Sequence, residues 1–124
     1  MGDHDMTRNT MNLDEYQQAA LRTVNPSLDE RDRLVDASVG LVEEAAELLG
    51  LVRKQVFQRR DVDQARLTEE LGDVLWCLAV TAHTLGIPLS QIARANQEKL
   101  QRRHPDGFRS DGRPVEEWSR APQE

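Results

Sequence analysis

Hydrophobic positions along this chain recur with a helical period and do not alternate. Placed at about 100° per residue, Leu41, Ala45, Leu48, Leu49, Val52 and Val56 share one broad face, whereas Glu43, Glu47 and Lys54 fall on the opposite stripe with Glu44 beside it. That pattern predicts an amphipathic helix. Downstream, "LGDVLWCLAV" is apolar almost all the way round, which predicts a helix covered on most sides.

Stop and start signals divide the chain into four such segments. Asn12 can cap a first helix through "LDEYQQAALRTV", with Glu15 three residues on as the returning partner of a capping-box-like start. Pro26 in "NPS" ends it. Ser27 is the expected cap of a second helix running to about Phe57, with Gly40 and Gly50 as weak points that can divide it in two. "QRRDVD" breaks the pattern again and offers Asp61 or Asp63 as the next cap. A third helix, "QARLTEELGDVLWCLAVTAHTL", ends at "GIP", and a fourth, "LSQIARANQEKLQRR", stops at "HPDG". No strand alternation, internal repeat or low-complexity block stands out. The expected fold is all-α, an antiparallel four-helix, bundle-like domain over residues 12–108. Residues 1–11 read as a disordered lead-in and 109–124 as a polar tail that Trp118 can dock.

Composition refines this picture. A chain of 124 residues supports one domain with a modest core, and completion by a second copy of itself is expected where apolar helix faces are wide. A net charge of −6 argues against nonspecific nucleic-acid binding, which depends on cations neutralising phosphates. It leaves room for a small phosphorylated substrate if a metal ion mediates. The single Cys77 cannot form an intrachain disulfide, the opening "MGDHDMTRNT" is polar, and no apolar run approaches the roughly 20 residues of a membrane span. A cytoplasmic location without a membrane partner is expected.

The chemistry lies in the acidic residues. Taken alone, the second helix reads as an ordinary amphipathic helix whose glutamates form a solvated charged face. The third helix changes that reading, because Glu70 and Asp73 lie within an apolar surround, where a carboxylate must be protonated, paired or metal-bound. Arg66, four residues before Glu70, can pair with it, but Asp73 has no cation on its own helix. Glu44 and Glu47 are spaced i,i+3, as are Glu70 and Asp73, so each pair projects from one side of its helix. Packing the two helices as antiparallel neighbours converges the four, with Glu43 and Glu69 close by. An all-oxygen set suits Mg²⁺, or Mn²⁺ in its place, better than Zn²⁺. A di-iron site would want Glu-x-x-His on two helices, and His83 and His104 lie elsewhere. His83 reads as a core or surface residue.

"EEAAE" (43–47), followed after 22 intervening residues by "ELGD" (70–73), resembles the E-E-x-x-E…E-x-x-D signature of the all-α nucleoside triphosphate pyrophosphohydrolases, nearest to their MazG-like branch. The resemblance runs roughly from Leu13 to Phe108 and takes in "EYQQAALRT" and "ANQEKLQRRHPDGF". It implies hydrolysis of a nucleoside triphosphate between the α and β phosphates, to monophosphate and pyrophosphate. By the same resemblance Glu44, Glu47, Glu70 and Asp73 are Mg²⁺ ligands, and Glu43 orients or deprotonates water. Glu69 supports that set or is merely exposed.

Asn96 and Lys99, with Arg103 one turn further and Lys54 on the acidic stripe, are the phosphate-binding candidates. The plain alternative for these is a solvated basic face. Trp76 can contribute to a base pocket or simply fill the core. The resemblance further implies a homodimer or homotetramer with the site near a subunit interface, acting on the nucleotide pool. Competing readings are a dUTP/dCTP- or phosphoribosyl-ATP-specific pyrophosphohydrolase, and a non-catalytic helical module that binds a cation or a basic partner.

Overall fold

A computed structural model describes residues 10–108; residues 1–9 of the expected lead-in and the polar tail over 109–124, with Trp118, lie outside the described residues. Four α-helices follow in order: α1 (Leu13–Leu21), α2 (Glu30–Phe57), α3 (Gln64–Thr84) and α4 (Leu89–Arg103). The all-α class expected from periodicity is what the described residues form; their only extended pairing is an isolated bridge between Pro105 and Gly107. The chain divides between Gln91 and Ile92 into two compact units.

In the first unit the helix starts follow local chemistry. The Asn12 side chain accepts from the Glu15 amide at 2.8 Å, and the Glu15 carboxylate returns to the Asn12 side-chain amide. Asp63 caps α3 through the Ala65 amide. The second helix starts later than expected. Asn25 closes a turn on Leu28, with its carbonyl 3.3 Å from the Leu28 amide and its side chain 3.0 Å from the Ser27 amide. Ser27 is thus held inside a turn with Pro26 at its second position, and Asp29 becomes the cap, accepting from Asp32. Nor does α1 reach Val24; its last turn closes through Thr23 onto Ala20.

Neither Gly40 nor Gly50 interrupts α2, which is one helix of 28 residues. A Cβ at Gly40 would lie 3.1 Å from Cys77 Sγ, so glycine there permits the close approach of α2 to α3. The two helices run antiparallel, since Gly40 meets Cys77 while Glu47 meets Glu70 further along. Small side chains, Ala20, Ala37, Ala79, Val80 and Ala82, make up most of the buried apolar set. At Gly86 (φ 78°) α3 ends, with the Ile87 amide reaching Ala82 and the Gly86 amide reaching His83, a left-handed stop that glycine adopts without strain.

The start of α4 is capped from α1. Pro88 has no side-chain acceptor for the free amides of the first turn. The buried Gln17 accepts from the Leu89 amide and donates to the Ala79 and Ile87 carbonyls, each at 3.1 Å. Asp14 takes the Ser90 amide at 3.0 Å and its hydroxyl at 2.6 Å, a carboxylate where a helix N-terminus favours one. In the second unit, α4 leads to a turn at Gly107 (φ 78°), and the His104 and Phe108 rings lie 6.2 Å apart.

Candidate metal centre

The face that α2 turns to α3 is not the centre of its apolar face. Leu34, Ala37, Leu41, Glu44, Leu48 and Leu51 are covered or half-covered, alternating by three and four residues. On α3 the matching seam is Leu67, Glu70, Val74, Cys77, Thr81 and Thr84. Ala45, Leu49, Val52 and Val56, expected on the inner face, are exposed. The seam follows the edge of the apolar face that borders the acidic stripe, because Gly40 and Ala37 on that edge permit the closer approach. Each helix thereby carries one glutamate into the seam.

One carboxylate oxygen from each of Glu44, Glu47 and Glu70 lies within 4.8 Å of the others. Glu47 is exposed, Glu44 half-buried, and Glu70 only 8% exposed. Arg66 Nε stands 3.8 Å from Glu70 Oε1, the i,i+4 pair expected from spacing. The second oxygens, Glu44 Oε2 and Glu70 Oε2, are shut off from solvent and have no hydrogen-bond partner. A buried carboxylate oxygen left so is costly. It is the orphan that a cation would satisfy.

Electrostatics carry the same signature. Burial pushes the Glu70 carboxyl above its ordinary range, followed by a hydrogen bond shared with Glu47 and the charges of Glu47 and Asp73; Arg66 pulls the other way. The Glu44 carboxyl is also raised, first by burial, then by the charges of Glu47, Asp73 and Glu70. In both glutamates, burial and neighbouring negative charge disfavour the ionised form. A hard, oxygen-seeking divalent cation fits this donor set.

Beside the cluster opens a cleft of about 310 Å³ lined by Asp36, Val39, Gly40, Glu43, Glu44, Asp73, Trp76 and Cys77. Asp73 and Glu43 are exposed in it, one helix apart. Asp73 stands outside the tight trio, but its charge is felt at Glu44, Glu70, Tyr16 and Cys77. Of the remaining candidates, Glu69 is exposed on α3 and Lys54 exposed on α2, neither lining the cleft. Asn96, Lys99 and Arg103 are exposed on α4, in the second unit. Histidine His83 is exposed on α3.

Two cleft neighbours went unread in the sequence. Asp36 lies seven residues before Glu43 on the same stripe, a spacing that could have revealed it. Tyr16 comes from α1; burial raises its phenol, with Asp73 next among the causes, and no period on α2 or α3 points to it. Trp76 is tied to Thr23, its Nε1 donating to the hydroxyl at 2.7 Å. Among the described residues, no single helix is long and apolar enough to cross a membrane.

Comparison with known proteins converges on the same region. Residues 37–108 match the model of the MazG nucleotide pyrophosphohydrolase domain, a stretch that holds the whole acidic cluster. The chain is 35% identical over 105 residues to the Gene 37 protein of Mycobacterium phage L5, covering 78% of this chain and 92% of that one. It is 36% identical over 72 residues to the uncharacterized protein YvdC of Bacillus subtilis (strain 168), covering 51% of this chain and 68% of the relative. No solved structure matches. Domain match, all-helical fold and paired acidic helices agree, and the chain belongs to the MazG family of nucleotide pyrophosphohydrolases.

Proposed function

We propose that this chain hydrolyses nucleoside and deoxynucleoside triphosphates between the α and β phosphates with Mg²⁺, for which Mn²⁺ can substitute, and that residues 12–108 are the catalytic domain. The observation that carries this reading is the pair of partnerless carboxylate oxygens, on Glu44 and Glu70, inside a three-glutamate cluster of a MazG-family chain. Glu44, Glu47 and Glu70 would hold the ion, joined by Asp73 from the cleft. When bound, it neutralises phosphate oxygens and makes the α-phosphorus a better electrophile.

Within the protein, Glu43 on the cleft wall is the proposed acceptor of a proton from the attacking water. The water oxygen bonds to the α-phosphorus as the bond to the α–β bridging oxygen breaks. Pyrophosphate leaves with that electron pair. On their chemistry alone, Lys54, Lys99 and Arg103 as cations and Asn96 as an amide donor are the proposed phosphate contacts.

The same proposal places the enzyme in the cytoplasm, on nucleotide-pool housekeeping, as a homodimer or homotetramer without nucleic-acid or membrane partners. Support for self-association comes from exposed apolar residues on α2, among them Val42 at 71% and Val56 at 62%, with Leu71 at 54% on α3. A second copy would remove such surface from water. A solution mass equal to the 14.1 kDa of one chain would refute that part.

The test of the reaction is pyrophosphate release from a panel of ribo- and deoxyribonucleoside triphosphates with Mg²⁺, Mn²⁺ or EDTA. Metal-dependent release with a monophosphate product is expected. Silence across the panel in both metals overturns the reading, and phosphoribosyl-ATP is then the next substrate to offer.

A further inference from the structure

We propose that Trp76 is the platform on which the nucleobase rests, its own contact being a stack and not a hydrogen bond; this builds on the triphosphate-hydrolase reading of the site. Trp76 lines the cleft together with Asp36, Glu43, Glu44 and Asp73. It follows Asp73 by three residues on α3, a rise of about 4.5 Å along the helix. That offset is comparable with the single ribose that separates an α-phosphate from its base. A phosphate drawn to the acidic end through a cation therefore brings its base toward the indole.

The rest of the cleft explains why the contact is aromatic. Its charged lining is carboxylate throughout, and its other residues are Val39, Gly40 and Cys77. Those carboxylates can only accept from a base's N–H groups, and Trp76 is the one aromatic ring in the lining. Trp76 is half-buried, so part of the ring is covered and part is accessible.

The indole has one donor, and it is already spent. Trp76 Nε1 donates to Thr23 Oγ1 at 2.7 Å, while the Thr23 hydroxyl donates onward to the Ala20 carbonyl at 2.7 Å. With its proton committed to Ala20, the hydroxyl can only accept from the indole. This relay fixes the ring from the side of α1 and leaves its π-face as the means of contact. Every base has such a face, so recognition at Trp76 tolerates purines and pyrimidines alike.

A Trp118→Phe variant leaves Trp76 as the sole indole, and its fluorescence reports directly on the cleft. The probes are α,β-methylene analogues of UTP, CTP and ATP, which cannot be cleaved, and inorganic tripolyphosphate, which has no base; all are titrated with Mg²⁺. The expected result is quenching by all three analogues, with tripolyphosphate displacing them without quenching by itself. Trp76→Ala should weaken the analogues about tenfold, within the range for loss of a base–aromatic stack, and leave tripolyphosphate affinity unchanged. Trp76→Phe should retain most of the affinity, so the contrast survives if the alanine variant does not fold.

Analogue binding without a change in fluorescence overturns the proposal. So does an equal loss of tripolyphosphate affinity in the alanine variant, which would mark the indole as structural. If neither analogues nor tripolyphosphate bind, and the wild type releases no pyrophosphate, the hydrolase reading itself falls and takes this one with it. If tripolyphosphate binds while the base makes no difference, only the platform falls.

Discussion

Glu44 of α2 and Glu70 of α3 occupy facing seam positions of an antiparallel helix pair, each with one carboxylate oxygen sealed from water and without a hydrogen-bond partner. Seams of this kind ordinarily carry leucine or alanine. Two acids there oppose folding unless a cation joins them.

Replacing Glu70 or Glu44 with glutamine should therefore separate function from stability. Activity is expected to fall by at least about a hundredfold, since a proposed metal ligand is lost. The melting temperature in EDTA should rise, because repulsion is relieved, while the further rise on adding Mg²⁺ shrinks or vanishes. Thermal melts with and without the ion, read beside pyrophosphate release, decide the matter. A variant that keeps both its activity and its Mg²⁺-dependent melting shift would remove that residue from the metal set.

Gln17 should matter for stability out of proportion to its chemistry. Its side chain satisfies the Leu89 amide and the Ala79 and Ile87 carbonyls in a buried position. Gln17→Leu keeps similar bulk but leaves those groups unpaired, at an expected cost of about 3 kcal/mol. Denaturant melts would show it as a lower midpoint. An unchanged midpoint would mean that water takes over all three contacts.

The two glycines of α2 should answer oppositely to added side chains. No atom outside the local helix lies within 4 Å of a Cβ built at Gly50, so Gly50→Ala should stabilise by about 0.5–1 kcal/mol through helix propensity. At Gly40 a Cβ already comes within 3.1 Å of Cys77 Sγ. Gly40→Val should then cost about 1–3 kcal/mol by overpacking the seam. Chemical denaturation of the two variants side by side tests the pair, and equal effects would contradict the close approach of the helices.

The thiol of Cys77 should be slow to react. It is 6% exposed, and burial raises its pKa above the ordinary thiol value, with the Glu44 and Asp73 charges adding to the effect. Because the thiolate is the nucleophile, labelling by a disulfide reagent at pH 8 should run at least about tenfold below the rate for the unfolded chain. Glu44→Gln should speed it by removing one of the opposing charges. Labelling of the native protein at the unfolded rate would show that the seam opens freely.

What could be read from the sequence was local. Asn12 and Asp63 announce helix starts, the glycine before Ile87 announces a stop, and Arg66 pairs with Glu70 at the spacing that suggested it. Ser27 misled because Asn25 and Pro26 also favour a turn, and the turn absorbed it. The rotation of α2 was hidden for a different reason. Its apolar residues exceed what one neighbour can cover, and periodicity gives the width of a face but not which edge of it is used. Glycine and alanine at positions 40 and 37 decide that, through the distance they permit. Tyr16 and Thr23 belong to another segment, so only tertiary structure brings them to Asp73 and Trp76.

The capping of α4 by α1 has a consequence for where this protein can be cut. The family match begins at residue 37, and a chain trimmed to it would keep every acidic residue proposed to hold the metal. It would also discard Asp14 and Gln17, which close the first turn of α4, and Thr23, which holds the indole of Trp76. The span that the family model matches thus leaves out the side chains of α1 that reach α3 and α4. The short opening helix is a splint, and without it the first turn of α4 and the indole of Trp76 would lose the side chains that hold them.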